Sequence, residues 1–267
     1  MSTFRLNKQL FNPALYSRVH EVWFGGLPAG ATSMPPELLS RWFGAGASAQ
    51  DKSRFDDVCH EGFHAALDSV GPTAYPLPSA PTSWAAEQQQ AGAIAAPFLE
   101  TLRAEEPANG GGGGAGPDAT AALSLLLLLD QIPRNIFRSK QALIYDHYDR
   151  LARAVLHSLL RREPRVDLHP SVRYSPPLRQ WFYMPLMHSE HLEDHKLFAE
   201  ILAAFRADVA GQGDDPAVQA VGMTADFEKR HVAIIERFGR YPHRNEHLRR
   251  EPSAEETEYL EVGGERF

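Results

Sequence analysis

The chain has 267 residues, with 27 Lys plus Arg against 34 Asp plus Glu, a formal charge of −7 and a hydrophobic fraction of 43%. That is an ordinary globular composition, long enough to bury a large core, and its acidity disfavours a nucleic-acid partner, which needs a basic face. The single cysteine, Cys59, excludes a disulfide framework or multi-cysteine zinc site, and the longest apolar run, Leu123 to Leu129, falls short of the roughly 20 residues of a membrane span.

The first residues hold Arg5, Lys8 and Arg18 but no apolar core for a secretory signal, so a cytoplasmic location is expected. Helical patterning begins at Pro13, and residues 13–24 set Leu15, Val19, Val22 and Trp23 on one face. Pro35 and Pro36 open a helix holding Leu38, Leu39, Trp42 and Phe43, with Ser33 as its expected cap. Residues 51–68 repeat Phe55, Val58, Cys59, Phe63 and Leu67, whereas four prolines mark 71–83 as an irregular connection. Residues 107–118, with glycine from Gly110 to Gly114, read as a flexible insertion; no preceding strand or Gly-Lys-Ser/Thr suggests a phosphate loop.

Asp118 then caps a helix from Ala119 to about Gln131, apolar nearly all round and so expected at the centre of the fold. A further helix spans 140–161. Ser175-Pro176 and Asp215-Pro216 are cap-then-proline starts, and Ser253 with Glu256 forms a capping box. Period-two alternation is nowhere sustained. The expected fold is therefore all-α, about ten to twelve helices in one domain over 1–267 with its core at 13–267.

Three segments break their local pattern. Asp130 ends the apolar helix, against the negative end of its dipole, and needs a cationic partner such as Arg134 or Arg138 beyond Pro133. In the second, a helical wheel places His188, His191, Asp194 and His195 on or beside the face of Phe198, Leu202 and Phe205. His191 and His195 have the one-turn spacing of metal-binding pairs, but hydrogen-bonded core imidazoles are the preferred reading and no metal is expected. In the third, Phe227, Ile234 and Phe238 form an apolar face, Gly239 stops the helix, and Arg240, His243, Arg244 and Asn245 crowd a turn before the next. Several guanidinium groups beside a helix start suit an anion.

At these segments the sequence resembles the DUF924 family, bacterial and fungal proteins of unknown function. The resemblance rests on Trp23-Phe24-Gly25, on Arg41-Trp42-Phe43-Gly44, on Asp130-Gln131-Ile132-Pro133-Arg134-Asn135, on Met184 through Glu190 and on Gly239-Arg240-Tyr241-Pro242-His243-Arg244-Asn245. It implies an all-helical, TPR-like fold and no particular reaction.

Two functional readings follow. In the first, Asp130, Arg134, Asn135, Arg138, His188, Glu190, Arg237, Arg240, His243, Arg244 and Asn245 converge on one site. Five arginines against two acids favour a small anionic ligand, and His188 with Asp130 or Glu190 is a candidate acid–base pair. In the second, the protein is a TPR-like scaffold for a protein partner and the polar strings lock helices together. Ser189 beside His188 lacks a nucleophile elbow, and no glycine fingerprint marks a nicotinamide or flavin cofactor.

Overall fold

The computed structural model describes residues 4–44, 46–81, 83–102 and 118–267. The flexible insertion expected at 107–118 lies outside these except for Asp118. The fold is all-helical, with no strand among the described residues.

Helix α1 (Pro13–Phe24) starts on Pro13 behind Asn12, whose side chain accepts from the Leu15 amide, and buries Val19 and Trp23 as expected. Helix α2 (Pro36–Phe43) has Pro35, not Ser33, at its cap, without a side-chain bond. Gly44 ends it at φ 64°, a left-handed conformation that suits glycine. Helix α3 (Ala49–Asp68) opens on a Ser48–Asp51 capping box. Helix α4 (Trp84–Leu99) is capped by Ser83; its alanine-rich sequence carries no sharp apolar stripe.

Helix α5 (Ala119–Asp130), capped by Asp118, is buried without interruption from Ala122 to Asp130. It packs against α1 and, with helix α6 (Ile132–Ile136), forms the bend at Pro133. The expected helix at 140–161 is three pieces: α7 (Gln141–Leu143), a π-helical turn over Ile144–Tyr148, and α8 (Asp149–Leu160). Helix α8 lies against α4 and α5.

Two short helices follow, α9 (Pro176–Arg179) and α10 (Met184–Met187), then the long pair α11 (Leu192–Ala210) and α12 (Asp215–Phe238), packed on each other. The cap of α12 is Asp214, one residue before the expected one, and Gly239 stops the helix at φ 69°. Phe227, expected on the apolar face, is 48% exposed beneath Arg230. Helix α13 (Ala254–Glu261) starts on the expected Ser253–Glu256 capping box. One continuous apolar core runs from Leu6 to Val221, with α5 inside it.

Candidate functional site

The end of α5 carries a polar centre. Asp130 is buried, and its carboxylate accepts from the His188 Nδ1–H at 3.0 Å and from the Gln131 amide at 2.6 Å. Because Pro133 folds the chain back at once, Arg134 returns to the same end. Its Nη1 donates to the Asp130 carbonyl at 2.7 Å and to Asp149 Oδ1 at 2.7 Å. These partners answer the helix-dipole problem that made Asp130 conspicuous.

Asp149 begins α8 immediately after the π turn, and Tyr145 lies on that turn. Inserted π turns recur at functional sites because the extra residue redirects side chains. Arg244 reaches the group from the 3₁₀ turn Pro242–Arg244. Its guanidinium lies over Tyr145 at 4.4 Å and over Tyr241 at 4.5 Å, with Nη1 3.7 Å from Asp149 Oδ2. Glu190 stands beside them, gripped by Arg250 at 2.7 and 2.9 Å and by the Tyr241 amide at 2.9 Å.

The three strings thus meet at Asp130, Arg134, His188, Glu190 and Arg244, with His243 against the rings of Tyr145 and Tyr241. The other expected members lie elsewhere. Arg237 pairs with Glu255 at an exposed site, and Arg240 grips Glu256 at the start of α13. Asn135 and Arg138 both turn to Asp56 on α3. Asn245 adjoins the Glu256 carboxylate, with no hydrogen bond of good geometry for either amide atom. The five-to-two charge ratio expected from sequence is therefore replaced by Arg134, Arg244 and Arg250 against Asp130, Asp149 and Glu190. Sequence reasoning missed Asp149, Tyr145 and Arg250, and only the π turn, a structural feature, singles out the first two.

The wheel through 188–205 fails at its start. Helix α10 ends at Met187 and α11 begins at Leu192, so 188–191 is a turn. His191 bonds Glu87 and His195 bonds Glu228, so the pair diverges. Ser189 is fully buried and donates to Asp194, which also holds His157 and Trp84. A hydroxyl committed to a carboxylate in the interior is not poised as a nucleophile.

Electrostatics give the dyad a defined state. Burial pushes the Asp130 carboxyl up, but His188 and Arg134 outweigh it and hold the group ionised. Burial and then Arg134 push the His188 imidazole down, against the pull of Asp130. His188 is thus neutral near pH 7 with its proton on Nδ1, facing Asp130, so Nε2 carries the lone pair. The side chain is 17% exposed, and Nε2 forms no hydrogen bond among the described residues. A carboxylate-oriented imidazole with a free Nε2 is the geometry of a general base.

Several buried polar atoms around it lack hydrogen bonds: Asp149 Oδ2, Arg244 Nε, Arg250 Nε and both ring nitrogens of His243. Burial drives the His243 imidazole down to about 3.

The family model described as a bacterial protein of unknown function, DUF924, matches residues 19–264. A solved structure of a protein of unknown function from Agrobacterium tumefaciens is similar over 94% of this chain and 98% of its own, with 26% identity and a TM-score of 0.54. No curated protein matches.

Proposed function

The chain belongs to the DUF924 family, and we propose that its polar centre receives a small molecule bearing a carboxylate or phosphate, with Arg244 and Arg134 holding the anion and His188 Nε2 exchanging a proton with it. The supporting observation is the cluster of buried polar atoms without partners beside the Asp130–His188 pair. A helix lock satisfies its polar atoms, because each one left unpaired costs about 1–3 kcal/mol. Arg244 meets Asp149 only at 3.7 Å, a loose contact that an incoming anion can replace. Its two aromatic neighbours fix the guanidinium beforehand, which lowers the ordering cost of binding.

The scaffold reading has one observation in its favour. The three arginines and three acids at the centre balance, so no cation is left over, and a TPR-like helical surface for a protein partner would leave this cluster structural. Thermal shift with a panel of small carboxylates and phosphate esters separates the two. A ligand at a hundred times its Kd adds about 2.7 kcal/mol to stability. The site reading expects a shift with some member of the panel, lost in Arg244→Gln, while His188→Ala melts at or above the wild type. No shift from any compound, with both variants severely destabilised, overturns it in favour of the lock.

A further inference from the structure

A second feature lies away from this centre, where α2, the first half of α3 and the end of α6 with the residues just after it border a half-open pocket of about 510 Å³. It is built by the Arg41-Trp42-Phe43-Gly44 string together with Asn135 and Arg138, motif residues that the polar centre does not use. Its volume falls in the range of small-ligand sites.

The floor is apolar. Phe43 is 58% exposed and Val58 43% exposed, the former being unusual for a large aromatic side chain within a core string. Phe43 is held from behind, its ring stacked on Trp181 at 5.7 Å and 15°. Phe55 is fixed against Trp23, with ring centroids 5.9 Å apart. One flat aromatic face is therefore presented to the pocket.

The rim is positive in a chain whose net charge is −7. Arg41, Lys52, Arg54 and Arg138 stand against Glu37 and Asp51. Asp51 is occupied by its capping bonds to Ser48, and Arg138 by Asp56. Arg41 donates only to the carbonyls of Val22 and Gly25, and neither it nor Lys52 meets a carboxylate among the described residues. These cations are exposed to solvent, and set beside an aromatic wall they attract an anion whose remainder is flat and apolar.

We propose that this cavity is a binding site for a small aromatic anion, its ring stacked on Phe43 and its carboxylate held by Lys52 and Arg41. Isothermal titration with naphthoate, its neutral analogue naphthamide and non-aromatic cyclohexanecarboxylate separates the two contributions. Naphthoate is expected to bind more tightly than both analogues. Lys52→Glu and Phe43→Leu should each weaken it by roughly tenfold or more, while Arg237→Ala, a surface cation elsewhere, leaves it unchanged. Phe43→Leu keeps the apolar surface and removes only the ring, and circular dichroism confirms that each variant is folded. Absence of naphthoate binding, equal binding of naphthamide, or binding indifferent to both cavity variants overturns the proposal.

Discussion

Asp149 is the residue on which the polar centre turns. It is 1% exposed, bonded to Arg134 at 2.7 Å and faced by Arg244 at 3.7 Å. Asp149→Asn keeps the shape and removes the charge, leaving two arginines short of an anion in the interior. The expected loss is about 3–5 kcal/mol, the usual cost of breaking a buried pair from one side, read from urea denaturation. Arg237→Ala should change stability by less than about 1 kcal/mol, because its pair with Glu255 is half exposed on both sides and screened by water. A large loss for Arg237→Ala, or none for Asp149→Asn, would contradict this assignment. Asp130 was legible in the sequence because a carboxylate closing an apolar helix has to find a partner. Asp149 was not, because in a continuous helix at 140–161 it reads as one more acid on a solvated face. Arg237 was misread for the opposite reason: closeness in sequence to Arg240 and Arg244 says nothing about which way a helical side chain points.

Among elements, those announced by caps and prolines were the readable ones. Pro13, Asp118 and the Ser253–Glu256 box start helices where the sequence places them. The break between α10 and α11 carries no glycine or proline at 188–191. It is made by Ser189, whose Oγ accepts from the His191 amide at 3.1 Å while donating to Asp194, so a side chain takes over a helical backbone bond. Such competition depends on where Asp194 is held by α4 and α8, and no local pattern reveals it. Helix α13 offers an element-scale test. Ser253 caps it, and Glu256 both completes the box and receives Arg240 at 2.6 and 2.8 Å. Ser253→Ala should cost about 1 kcal/mol. The change should appear first as faster amide exchange confined to 254–261, since Arg240 still anchors the helix. Exchange spreading through α5 and α8 would mean that α13 is part of the cooperative core.

At the scale of the whole molecule, the buried face of α1, with Val19 and Trp23, was readable from its period, but that of the alanine-rich α4 was not, and neither was the pairing. Helix α1 packs on α5 and α4 on α8, and these contacts join segments that sequence separates widely. What this packing does to the histidines gives a prediction about the intact protein. Burial holds His231 and His243 down at about 3, and it also lowers His188, His147 and His20 from the ordinary 6.5. For a group whose folded pKa lies below its unfolded one, the unfolded chain binds more protons in the interval between them. Stability is therefore complete above about 6.5 and is lost as pH falls toward 3. Carboxylates held low in the fold, Asp130, Glu190 and Asp194 among them, act with the same sign further into acid. Glu228 and Asp146, both pushed up by burial, oppose this, but two raised carboxyls do not balance five lowered imidazoles. The urea midpoint should thus fall between pH 7 and pH 5 at constant ionic strength. His243→Asn, which cannot take a proton, should flatten part of that slope, because its imidazole has no hydrogen bond to lose. A midpoint as high at pH 5 as at pH 7 would show that these imidazoles are not kept neutral by the fold, and the free Nε2 assigned to His188 would lose its basis with them.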